Sequence, residues 1–176
     1  MNLLKKNSGS VLIEAMVGLS LIVMSFSGIV ALVSRGFQLN VDALNKFVAT
    51  NLATEGIEIM KNALDTDLYK ATNGWDGTNR VKKGMYEVDY SCDVVDEFPC
   101  VYFPTGGRSP RFLKRSDSGV YSYEEGTIET PFKRSVVVDV QGDAVVIYSI
   151  VRWDNRGTEE EVQISNTFMN WRKNPS

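Results

Sequence analysis

Histidine is absent from all 176 residues, and that one absence removes a large share of enzyme chemistry. Without imidazole there is no Ser-His-Asp or Cys-His pair, no histidine general base and no common zinc ligand set. Neither a G-x-x-x-x-G-K-S/T nor a G-x-G-x-x-G string occurs, so the usual glycine-rich phosphate cradles are missing as well. Cysteine is scarce: Cys92 and Cys100 are the only two, too few for a zinc site when no histidine can help. The formal net charge of −3 argues against a general polyanion-binding role. No catalytic residue, metal or cofactor is expected, and the chain does not read as an enzyme.

What is present is unevenly spread. Hydrophobic residues make up 43% and charged residues 23%, ordinary values for a folded domain. Yet from Val11 to Val33 the only charged side chain is Glu14. As a helix this run would be about 34 Å long, enough to cross a hydrocarbon core of about 30 Å. A short leader with Lys5 and Lys6 and no acid precedes it. A cleaved secretory signal has a shorter apolar stretch ending at a small-x-small site; this run is too long, and no small-x-small site in it is followed by a clear mature start. The two lysines favour an inside N-terminus, with the rest of the chain outside the cytoplasm.

Glu14 needs a reason. An ionisable side chain at the bilayer centre costs roughly 2.5–3.5 kcal/mol on insertion scales, less near an interface, and usually has a partner. On a plain signal anchor it would simply reach for the headgroups. Cutting after Gly9, however, makes Ser10 the first residue and Glu14 the fifth; cutting one residue to either side puts Ile13 or Ala15 fifth.

The string KKNSGSVLIEAMVGLSLIVMS resembles the class III signal of type IV prepilins and type II secretion pseudopilins. Lys5 and Lys6 match the basic leader, Gly9 the residue before the cut and Glu14 the acid. Ser10 stands where that family usually carries Phe or Met. The resemblance implies cleavage after Gly9 by a prepilin peptidase and methylation at Ser10. It also implies filament assembly in which Glu14 meets the N-terminal amine of a neighbouring subunit, a pairing that satisfies two charges that would each be costly alone. The implied partners are other pilin subunits, the peptidase, an inner-membrane assembly platform and membrane lipid. ATNLATEGIEIMKN also looks like the corresponding region of minor subunits of the I and V types. The implied location is the inner membrane with an extracytoplasmic head, then a pilus or pseudopilus filament.

Beyond Arg35 the apolar residues become periodic. Phe37, Val41, Leu44, Val48, Leu52, Ile59 and Ala63 form one stripe of a 3.6-residue period. Gly56 reads as the weak point of this helix, worth roughly 1 kcal/mol against Ala, and Glu55 falls on the stripe with no evident purpose. Three segments then read as strands, Met85–Val95, Phe132–Val140 and Ala144–Trp153, followed by Glu161–Trp171. Turn residues at 141–143 and 154–157 join the last three into an antiparallel meander. Val136, Val138, Val140, Val146, Tyr148 and Ile150 are the expected helix-facing residues. The expected architecture is α+β, a long N-terminal helix packed on a C-terminal antiparallel sheet. Its divisions are a leader (1–9), a transmembrane or filament-core helix (10–34), an amphipathic continuation (35–70) and a β-rich head (71–176).

Outside the cytoplasm, Cys92 and Cys100 most naturally form a disulfide closing a short loop. Between 106 and 116, Arg108, Arg111, Lys114 and Arg115 surround Phe112 with no acid. Such a run can hold single-stranded nucleic acid and more often is a solvated loop, so nucleic acid is not counted among the expected partners. Asp65, Asp67, Asp93, Asp96 and Glu97 lack the ligand spacing of a calcium loop.

Overall fold

The computed structural model describes residues 8–70, 81–90, 92, 101–103, 109–142 and 144–169. Among these residues one helix, α1, runs from Ser8 to Lys70, and seven strands follow: β1 (Gly84–Glu87), β2 (Val101–Phe103), β3 (Phe112–Arg115), β4 (Tyr121–Ser122), β5 (Ile128–Gln141), β6 (Ala144–Asn155) and β7 (Thr158–Met169). They form one antiparallel sheet centred on β5. One edge of β5 pairs β6, which pairs β7. The other edge is shared: β1 lies along Val136–Val138 and β3 along the stretch from Ile128 to Lys133, with β2 and β4 outside them. This is the α+β arrangement expected, with the C-terminal meander intact.

The chain divides into two compact units, one ending at Leu44 and one starting at Asn45. The second unit therefore takes the last part of α1 together with the sheet. Its helical residues Ala49, Leu52, Ala53, Ile57, Met60 and Leu64 are buried, spaced by three and four as a core-facing stripe must be. The expected stripe lay at the border of this face. Leu52 and Ala63 belong to it, Val48 and Ile59 are half-buried, and Phe37, Val41 and Leu44 are exposed.

On the sheet, Phe132, Val136 and Val138 of β5 are buried as alternation requires, but on β6 the buried set is Val145, Ile147, Val151 and Trp153. Val146, Tyr148 and Ile150 take the other face and Val140 is exposed, contrary to expectation. The hairpin sets this parity. Gln141 faces Ala144, so Val138 faces Ile147 and Val136 faces Ser149. Directly opposed residues share a face, so even positions on β5 go with odd positions on β6. The β6–β7 hairpin is tighter than expected. Asn155 pairs with Thr158, and Arg156 (φ 54°) and Gly157 (φ 84°) make the loop, both at positive φ as in a type I′ turn.

Among the described residues of the strand expected over Met85–Val95, only those of β1 are extended in the sheet. Val88 is buried, and positions 91 and 93–95 lie outside the described residues.

Candidate assembly helix and polar seam

From residue 9 to residue 44 every side chain of α1 is exposed except Asp42, which is half-buried. Val11, Met16, Ile22, Phe26 and Leu32 are 60–75% exposed, so this unit presents apolar surface to its surroundings along its length. Within Val11–Val33 the serines are satisfied inside the helix. Ser20 donates to the Val17 carbonyl (2.8 Å), and Ser25 and Ser27 donate to Leu21 and Val23 (2.9 Å each), the local back-bonds that a helical hydroxyl can make. Glu14 is exposed and is the one charged side chain of the run. Gly9 and Ser10 lie in the first helical turns and are exposed. The basic leader, residues 1–7, lies outside the described residues. The helix is long and apolar enough to cross a membrane.

The second unit carries its own polar structure. The helix–sheet interface has two apolar clusters, one around Met60, Tyr86, Val136 and Ile147, the other around Leu52, Leu113, Phe132 and Trp153. A polar seam separates them. Arg134 points inward from β5 and is fully buried. Its Nη1 donates to the Leu52 carbonyl (2.9 Å) and to Glu55 (3.0 Å), and its Nη2 to the Val88 carbonyl. Tyr123, whose phenol burial pushes well above its ordinary range, donates to the Arg134 carbonyl (2.8 Å). Glu55 thus has a purpose the sequence left unexplained. Gly56 lies against the same seam, where a Cβ would be 2.6 Å from Ser149 Oγ, 3.1 Å from Val136 Cγ2 and 3.2 Å from Arg134 Cδ.

Two buried acids hold the short strands. Glu87 accepts from both the backbone N–H and the Nε of Arg111, each at 2.7 Å. Asp89 accepts from Ser122 Oγ (2.8 Å) and the Tyr123 N–H (3.0 Å). Arg111 also donates to Glu124 at 2.6 Å and stacks over Tyr123 at 5.0 Å. The Glu124 bond, then the Glu87 bond, keep its guanidinium above its ordinary pKa.

Arg111, expected in a basic run, is therefore engaged inside the head. Lys114 is half-buried on β3 opposite Glu129, Arg115 is exposed at the end of the same strand, and Arg108 lies outside the described residues. Cys92 is disulfide-bonded, and Cys100 lies outside the described residues, as do Asp93, Asp96 and Glu97. Among the described residues no group of acids or cysteines could hold a metal ion.

Sequence reasoning missed Arg134, Glu87, Asp89 and the packing role of Gly56. Arg134 had a signal: it shares the parity of Phe132, Val136 and Val138, which places it inward. The chain matches no protein-family model, no curated protein and no solved structure.

Proposed function

We propose that the chain is a minor structural subunit of a type IV pilus-like filament and not an enzyme. On this reading it inserts through residues 10–34, is cut after Gly9 by a prepilin peptidase, and is drawn from the inner membrane by an assembly platform. It joins other pilin subunits through its helix, and its head caps, primes or decorates the filament.

The observation that carries this reading is Glu14. The serines of the apolar run are bonded within the helix, whereas the exposed Glu14 carboxylate has no bonded partner among the described residues. A cut after Gly9 creates a new amine four residues away on each subunit. Placed against the Glu14 of a neighbour in a dry helical bundle, that amine neutralises both charges. The exposed apolar surface from Val11 to Val33 suits both environments, lipid before assembly and neighbouring helices after it.

The test is the intact mass and first residue of the protein expressed with and without an active prepilin peptidase. The expected result is loss of nine residues to expose Ser10, with an added methyl, only when the peptidase is present. A Met1 start in its presence overturns the reading in favour of an uncleaved signal anchor.

A further inference from the structure

Natural sheets blunt their free edges, because a strand with one unpaired side offers a row of N–H and C=O groups to any extended chain. Here the edges beyond β1 and β3 end in strands of three and two residues, β2 and β4. The remaining edge is β7, twelve residues long and paired with β6 in unbroken register from Thr158 to Met169. Among the described residues no other strand pairs with it. Val162–Met169 contains no charge, proline or glycine, so the usual devices against edge pairing are missing from this stretch.

The hairpin fixes which backbone groups of β7 are left over. In a type I′ turn the N–H of the last residue bonds the carbonyl of the first, which makes Asn155 and Thr158 a hydrogen-bonded pair. Such pairs recur at every second residue of an antiparallel ladder. Residues 160, 162, 164, 166 and 168 therefore bond to β6. The N–H and C=O groups of Glu159, Glu161, Gln163, Ser165, Thr167 and Met169 point away from it. The two side-chain rows of β7 differ in chemistry. On the helix side Val162, Ile164 and Phe168 pack against the apolar clusters yet stay half-exposed, so a further strand would find apolar surface to cover. On the other side Glu159 and Glu161 are exposed. Glu161 accepts from Arg152 (2.9 Å), and Glu159 has no bonded partner among the described residues. Because β7 contains no Lys or Arg, a second copy of this strand would bring these carboxylates no counter-charge.

We propose that the outer edge of β7 is a strand-addition site for an extended segment of another protein, paired antiparallel. Its alternate apolar side chains lie beside Val162, Ile164 and Phe168, and basic side chains near its C-terminal end lie beside Glu159 and Glu161. Backbone bonds supply the affinity, and the two side-chain rows select the partner. The site belongs to the sheet alone and is the same whether or not the chain is cut after Gly9.

The test is amide hydrogen exchange, read residue by residue by NMR on the full chain in detergent micelles. The probe is a synthetic peptide as long as Glu159–Met169 that alternates Thr and Val and ends in Lys-Thr-Lys. Without it, the amides at residues 160, 162, 164, 166 and 168 are expected to exchange slowly and those of Glu161, Gln163, Ser165 and Thr167 fast. The peptide should slow the second set together. A peptide ending in Glu-Thr-Glu should bind about tenfold more weakly, as reversal of two cross-strand charge pairs implies. A peptide N-methylated at the alternate residues whose N–H groups would face β7 should not bind. Slow exchange of the second set before any peptide is added overturns the proposal, because the edge is then covered by the chain itself or, if the slowing grows with protein concentration, by a second copy. Fast exchange that the Lys peptide leaves unchanged overturns it too, as does undiminished binding of the N-methylated peptide. Equal binding of the Lys and Glu peptides overturns the basic partner.

Discussion

At the scale of single residues, Gly56 shows why propensity is a weak guide at a contact. Helix statistics favour Ala there by roughly 1 kcal/mol. Against that gain stand three atoms within 3.2 Å of the added carbon, and overpacking of this kind costs about 1–3 kcal/mol. Ser149 is hemmed in on a fully buried strand position, so it has little room to yield. Gly56→Ala is expected to lower the stability of the head by up to about 2 kcal/mol, the difference of these opposed effects. In a Ser149→Ala background, where the 2.6 Å contact is gone, part of that loss should be recovered. Denaturant unfolding of the four proteins of this double-mutant cycle measures both numbers. If Gly56→Ala proves more stable than the parent, the close approach described here is wrong.

At the scale of elements, the α+β class and the meander were legible in the sequence because they rest on long periodic signals. The β6 face was not. A period of two says that alternate residues share a face but not which set faces the core, and the parity comes from the hairpin, where Gln141 meets Ala144. The helix stripe was displaced because it ran through Phe37, Val41 and Leu44, which are exposed and belong to the first unit, not to the one that contains the sheet. The polar seam was half legible: Glu55 stood out as misplaced, but its partner lies 79 residues away, and no local pattern pairs them.

Two clamps between elements carry a pH dependence. Asp139 on β5 accepts from Gln141 Nε2 and from Lys83, ahead of β1, both at 2.7 Å, and these contacts hold its carboxyl below the ordinary range. Glu160 on β7 is lowered first by Asn155 (2.7 Å) and then by Lys46 of α1 (3.4 Å). A carboxylate lowered in the folded state contributes stability that is present above its ordinary pKa. That contribution is lost as pH falls through the lowered folded value. Head stability should therefore decline with acidification below the ordinary carboxylate range. Asp139→Asn combined with Glu160→Gln should flatten the decline between pH 5 and pH 3 in thermal melts, taking about pH 4 as the ordinary carboxylate midpoint. An equal drop in the double variant would remove these clamps as its cause.

At the scale of the whole molecule, Glu14 sets two requirements in opposition. Membrane insertion favours its removal, since a carboxylate in hydrocarbon costs roughly 2.5–3.5 kcal/mol at the centre and less toward an interface. Assembly, if the proposed function holds, requires it, because the new amine at Ser10 of each subunit would otherwise enter the helical bundle without a counter-charge. A plain anchor and a filament subunit therefore respond in opposite ways to Glu14→Leu. As an anchor, the variant is held at least as firmly in the membrane and its head functions unchanged. As a subunit, it is still inserted and still cut after Gly9, but it fails to enter filaments sheared from cells that carry the assembly machinery. Glu14→Gln separates charge from size, because it keeps the side-chain length and loses only the anion. It is expected to behave as Glu14→Leu does, with cleavage at the level of the parent and recovery in the filament fraction falling at least tenfold, the loss of about 1.4 kcal/mol per interface. Undiminished recovery of Glu14→Gln would mean that the carboxylate is not the partner of the neighbouring amine, whatever the peptidase does.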